Sequence, residues 1–214
     1  MVNRRVRRSI VAAIVIVAAA AIPVVRHGAL RLVGGTLLLR EPIGPADVVV
    51  ISESGGMDEF QAAELEAADL VANGTARQVM LLRPTKDAID RELVRRGVRV
   101  EIPAVAILRQ LGVPDTALIV IEAGEGGTTE STRAVADWAR AHPSRVVVVI
   151  GAAHSRRYRR ALMRVWPAEV PAPRITYPQR TAFRADDWWR SRRTLREGMF
   201  ELQKLAWDYI RHPW

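Results

Sequence analysis

Five consecutive β-branched residues, Val146 to Ile150, stand inside the stretch RVVVVIGAAHSRRYRRA, Arg145 to Ala161. A run that is apolar at every position, rather than at every second one, fits a strand buried on both faces. Such strands belong to parallel sheets covered by helices. Gly151, Ala152 and Ala153 follow, then His154, then Arg156, Arg157, Arg159 and Arg160 on what reads as the next helix. In open α/β sheets ligands bind beyond the carboxyl ends of the strands. The chain thus sets an imidazole and a basic cluster where such a fold does its chemistry.

The same unit recurs along the chain. Asp47–Ser52 reads as a first buried strand, Ser52–Gly56 (SESGG) as a tight turn, and Asp58–Ala72 as a helix closed by Asn73-Gly74. Gln78–Leu82 is a second strand, Asp87–Arg96 a helix, Val98–Val100 a short strand, Ile102–Leu111 a helix and Ala117–Ile121 a further strand. A helix with Thr128 or Thr129 as its N-cap runs to Ala141. After Val146–Ile150 a helix extends to Val165, and Ile175–Tyr177 reads as an edge strand. Arg192–Ile210 closes the chain as an amphipathic helix, with Leu195, Met199, Leu202, Ala206 and Tyr209 as its apolar stripe. Alternating strands and helices define the α/β class: a Rossmann-like, mostly parallel sheet with helices on both faces, over residues 45–214.

The amino-terminal segment has a different composition. Arg4, Arg5, Arg7 and Arg8 precede Ser9–Val25, seventeen residues without a charge. As a helix this run is about 25 Å long, at the short end for a bilayer span. We read residues 1–27 as an uncleaved, single-pass membrane anchor and 28–44 as a juxtamembrane connector lying along the bilayer surface. A removed signal peptide, with Ala18–Ala21 as the cleavage region, is the second reading. The arginines put the amino terminus in the cytoplasm and the α/β domain outside the cell membrane.

The net charge of +9 is spread unevenly. Residues 1–41 carry net +6, residues 42–142 net −6 and residues 143–214 net +9. The basic carboxyl-terminal third comes without helix-turn-helix, zinc or base-stacking signatures, so nucleic acid is not the expected partner. Only Lys86 and Lys204 are lysines, which weakens any single arginine as a functional signal. At least half of Arg156, Arg157, Arg159 and Arg160 are expected on a solvated face. Cysteine is absent, which excludes thiol catalysis and Cys-ligated zinc. Trp188, Trp189, Trp207 and Trp214 read as core residues or membrane-interface anchors.

Three turns leave the carboxyl ends of expected strands: Ser52–Gly56, Glu122–Thr129 and Gly151–His154. Each leads into a helix amino terminus, which favours an anion and points to a phosphate-bearing or carboxylated ligand. Neither a P-loop, a dinucleotide GxGxxG nor a nucleophile-elbow GxSxG is present. No second histidine stands near His154, so no metal site is expected. His154 suits a general acid/base or a phosphate donor, and a structural strand-end histidine equally.

The order of these pieces resembles the YdcF/SanA/ElyC-like family of envelope-associated proteins of largely unknown function. Glu101 with Gly112-Val113-Pro114 is similar to that family's E-x-x-x-(apolar) ahead of G-[VI]-P. Glu122 with Thr128-Thr129-Glu130-Ser131 is similar to its acidic residue and N-T-x-E-N. Val146–Ile150 with His154 and Arg157 is similar to its strand and T-x-x-x-H-x-x-R-A. Glu201 and Lys204 fit its E-x-x-K. Gly127 and Ser131 stand where the family has asparagines, and the second strand ends in Leu-Leu-Arg-Pro rather than Ser-Gly-Gly. The resemblance implies an anchored Rossmann-like protein with a role in cell-envelope biogenesis or integrity, touching lipid-linked precursors. The site it and the turns outline has His154, Glu130 and Glu101 as catalytic candidates. Arg157, Thr128, Ser52 and Gly55 are the ligand-binding candidates. No cofactor follows from the sequence. A non-catalytic factor binding a protein or lipid partner, or a nucleotide-type ligand, is the alternative.

Overall fold

The computed structural model describes residues 22–52, 57–83, 88–97, 103–124 and 127–213. Five strands form one sheet: β1 (Val48–Ile51), β2 (Gln78–Arg83), β3 (Leu118–Glu122), β4 (Val146–Val149) and β5 (Arg174–Thr176). Every pairing is parallel, and the spatial order is β3-β2-β1-β4-β5. The order reverses between β1 and β4, so a doubly wound sheet has its crevice outside the carboxyl ends of those two strands. The strand run that opens the sequence is central for a physical reason: Val146 to Val149 are all buried, and their side chains alternate between two cores.

On one face Val49, Ile51, Val79, Leu81, Val147 and Val149 pack under α2 (Met57–Ala72) and α4 (Pro103–Gln110), through Ala63, Ala67, Leu70, Ala104 and Leu108. On the other, Val48, Val50, Met80, Val146 and Val148 meet α5 (Thr128–Ala141) and α6 (Ser155–Val165), through Val135, Tyr158 and Leu162. Fully burying one such side chain contributes roughly 1.5–3 kcal/mol. A short α3 (Ala88–Arg95) lies between β2 and α4. The expected Val98–Val100 strand lies outside the described residues.

The segment before the domain packs against it. α1 (Pro23–Gly35) runs through the expected 27/28 boundary and docks on the body. Gly34 abuts Trp188, whose Nε1 donates to the Leu30 carbonyl at 2.8 Å. Leu37 is buried with Ala152, Ala153, Phe183, Trp188 and Leu205. Leu39 N–H donates to Ser155 Oγ at 2.8 Å, and Glu41 accepts from Ile175 N–H at 2.7 Å. Among the described residues no helix is long and apolar enough to cross a membrane, and positions 9–21 of the charge-free run lie outside them.

Two expectations are corrected. The arginines of α6 do not form a solvated face. Arg156 donates to the Leu38 carbonyl, Arg157 binds Glu201, Arg159 binds Glu41 and Arg160 binds Asp208. Each guanidinium ties α6 to a segment that crosses it. The final helix, α7 (Arg192–Arg211), also buries a different stripe from the one expected. Thr194, Gly198, Glu201 and Leu205 face inward, while Leu195, Met199 and Tyr209 are exposed. The cause is local: Trp188 and Phe183 fill the space beside Gly198, and Glu201 is needed underneath by His154 and Arg157.

Candidate functional site at the sheet's switch point

Strand β4 ends at Val149, and a single 3-10 turn, Ala152–His154, places His154 above the β1–β4 boundary. The imidazole is 9% exposed. Its Nδ1 lies 3.0 Å from Glu201 Oε2, and its Nε2 lies 3.4 Å from Thr128 Oγ1. One helical turn on, Arg157 grips the same carboxylate with two bonds, Nε to Oε2 at 2.8 Å and Nη2 to Oε1 at 3.2 Å. Its third nitrogen, Nη1, donates to Thr128 Oγ1 at 3.0 Å. Lys204 Nζ adds a bond to Glu201 Oε1 at 2.9 Å. A fork-to-fork Arg–carboxylate pair of this kind fixes orientation as well as charge.

The protonation pattern follows from these partners. Burial pushes the Glu201 carboxyl up, but the bonds from His154 and Arg157 outweigh it and hold the group well below the usual carboxylate range. Burial pulls His154 down, with the Arg157 and Lys204 charges acting the same way and Glu201 opposing. A neutral imidazole beside an ionised carboxylate keeps its proton on Nδ1. Nε2 is then the free acceptor, directed at the Thr128 hydroxyl.

Thr128 occupies the first turn of α5, and the N-cap is Gly127 rather than either threonine. Gly127 has φ +96°, a left-handed conformation open to glycine without strain. The Thr128 side chain makes no cap bond because its oxygen is committed to Arg157 and His154. Beneath the site, the Tyr158 ring meets the imidazole edge-on at 5.8 Å between centroids. Its hydroxyl is buried without a hydrogen-bond partner among the described residues. Burial pushes that hydroxyl up to about 12, with the nearby Ser52 and Ser131 hydroxyls opposing.

The fold therefore brings together three of the residues expected at the site, His154, Arg157 and Thr128. Ser52 is buried at the end of β1, on the Tyr158 side of the same cluster. Glu130 is exposed and lies against Gly124, with its carboxylate carbon 3.3 Å from where a Cβ on that glycine would stand. No hydrogen bond among the described residues joins it to His154. Glu101 and Gly55 lie outside the described residues. Glu201 carries the arrangement and was not among the expected site residues. Glu197, one turn earlier on α7, is pushed up to about 7 by burial and by the charge of Glu59. Among the described residues no group of three or more His, Asp or Glu side chains could hold a metal ion.

No protein-family model matches the chain, and no curated protein matches it.

Proposed function

We propose that this chain is a membrane-anchored, extracytoplasmic protein that binds a phosphate-bearing envelope metabolite at the switch point of its sheet. His154 is the acid/base group of that site. The observation that carries the reading is the convergence of Thr128, His154, Arg157, Glu201 and Lys204 from three separate helices and a strand end. With His154 neutral, two cations face one carboxylate there, and the first N–H groups of α5 add further donors. An anion matches that surplus; a second cation does not.

The membrane assignment is supported by the charge-free run Ser9–Val25 behind four arginines and by the exposed face of α7. Met199, Phe200, Trp207 and Ile210 are exposed on α7, and Trp188 links that helix to α1, which emerges from the run. The same exposed face favours a second reading, a factor that binds a lipid or protein partner without catalysis.

Thermal melts with inorganic phosphate, pyrophosphate and phosphomonoesters test the first reading. A ligand that binds only the folded chain raises its melting temperature, and the rise grows with the logarithm of ligand concentration above the Kd. Stabilisation by phosphate-bearing probes, and not by acetate or chloride at equal ionic strength, is expected. Equal response to all anions would sink it. His154→Ala separates the two readings in vivo, because a binding factor keeps its function without the imidazole. A carboxyl-terminal reporter active only in the cytoplasm would overturn the orientation.

A further inference from the structure

As the acid/base group of the site, His154 needs a partner with which to exchange its proton. The geometry supplies one. We propose that Thr128 is a nucleophile that takes a phosphoryl group from a phosphate ester onto its Oγ1, with His154 as base. This rests on the phosphate-binding reading of the same site.

Nucleophilic hydroxyls are recognised by three linked parts: a hydroxyl, a base within hydrogen-bond reach, and a group that orients the base. Here the hydroxyl is Thr128, the base is Nε2 of His154 at 3.4 Å, and Glu201 holds Nδ1 at 3.0 Å. Distances of this kind are often long before substrate is bound. The direction of each bond is set. Arg157 Nη1 can only donate to Thr128 Oγ1, at 3.0 Å, so the threonine proton is left to point at His154. The same guanidinium stabilises negative charge on that oxygen as the proton leaves. Glu201 touches no substrate and is a positioning residue. Thr128 also stands in the first turn of a 14-residue helix, where three phosphoryl oxygens find free N–H groups.

Thr128 Oγ1 bonds to phosphorus, its proton passes to His154 Nε2, and the bond from phosphorus to the ester oxygen breaks. His154 returns the proton to that oxygen, which departs as an alcohol. Water then attacks phosphorus and gives its proton to Nε2. The bond to Thr128 breaks, and the threonine oxygen takes the proton back. The sum is hydrolysis of a phosphate monoester, with no redox change and no co-reactant but water.

The test uses the full chain in detergent micelles with p-nitrophenyl phosphate, acid quenching and peptide mapping. Phosphate on Thr128 is expected in the wild type and in Thr128→Ser, and none in the near-isosteric Thr128→Val. His154→Asn should slow phosphorylation by about 10²-fold or more. Melting curves establish that each variant folds. Glu201→Gln should shift the pH profile of phosphorylation, which a merely structural role would leave in place. Inorganic phosphate binding to the wild type separates the two failures. No binding overturns the phosphate reading and this assignment together. Binding without a phosphothreonine at position 128, whether or not the ester is cleaved, overturns the nucleophile alone. Unchanged turnover in Thr128→Val does the same.

Discussion

The imidazole of His154 and the carboxylate of Glu201, 47 positions apart in the chain, are joined by a 3.0 Å bond in which Nδ1–H donates to Oε2. This bond sets which nitrogen of the histidine faces Thr128. Because Arg157 shares the carboxylate, it also couples the helix after β4 to the last helix of the chain. One carboxylate thus fixes a tautomer, a guanidinium and the position of α7 at once.

Removing that carboxylate leaves Arg157 and His154 buried without their acceptor. Breaking a buried ion pair by deleting one partner costs about 3–5 kcal/mol. Glu201→Ala is expected to lose stability on that scale. Glu201→Gln should lose most of it, since an amide cannot accept both bonds of the Arg157 fork. Urea denaturation midpoints measure it, and a Glu201→Gln variant within about 0.5 kcal/mol of wild type would show the network to be dispensable.

Much of the fold is legible in the sequence because its two central strands, β1 and β4, are short, continuously apolar and β-branched, a pattern set by burial on both faces. His154, Arg157 and Thr128 are legible because strand ends and helix starts mark the crevice of such a sheet. Glu201 is marked only by the E-x-x-K of the family resemblance, and hydrophobic patterning hides it for a physical reason. On α7 the apolar residues Leu195, Met199 and Tyr209 outline one face, yet the core takes the stripe about a quarter-turn away, where Thr194, Gly198 and Glu201 lie. Hydrophobic periodicity reads burial from side-chain type alone. Here the buried face was chosen by a tryptophan that needs a glycine and by two cations that need a carboxylate. Beside that resemblance, a glutamate four residues before Leu205, in step with Gly198 and Thr194, is a second signal, since a charge on an inward stripe needs a partner.

Glu64 gives the chain a pH dependence of its own. It is buried on α2 with neither carboxylate oxygen bonded among the described residues, and burial pushes it from 4.5 up to about 7. The sign follows from where the proton sits. Between pH 4.5 and 7 the unfolded chain releases a proton that the folded chain keeps, so stability falls as pH rises through that window. The shift corresponds to roughly 3 kcal/mol in full. Glu64→Gln removes only the titrating part. Its stability relative to wild type should therefore be greater at pH 8 than at pH 5, and chemical denaturation at the two pH values measures the difference. A gap that does not change with pH would mean the carboxylate is ionised within the fold.

Tyr158→Phe tests the unpartnered hydroxyl under the site. Leaving a buried O–H unsatisfied costs roughly 1–3 kcal/mol, so its removal is expected to leave stability unchanged or raise it. A loss of more than about 1 kcal/mol, read from thermal melts, would mean the hydroxyl is bonded in solution, with Ser52 and Ser131 as the nearest candidates.

Two glycines of α1 separate helix propensity from packing. Gly28 has no atom within 4 Å of where a Cβ would stand, whereas at Gly34 that Cβ would lie 2.5 Å from Trp188 Nε1. Both are helical, so propensity favours alanine by about 0.5–1 kcal/mol at each. At Gly28 nothing opposes it, and Gly28→Ala should stabilise by that amount. At Gly34 the indole cannot retreat, because its Nε1 is bonded to the Leu30 carbonyl and its ring is packed against Phe183 and Gly198. Overpacking of this kind costs about 1–3 kcal/mol, so Gly34→Ala should destabilise despite the better propensity. Melting temperature reads both effects, and a stabilising Gly34→Ala would mean that α1 does not dock on the domain in solution.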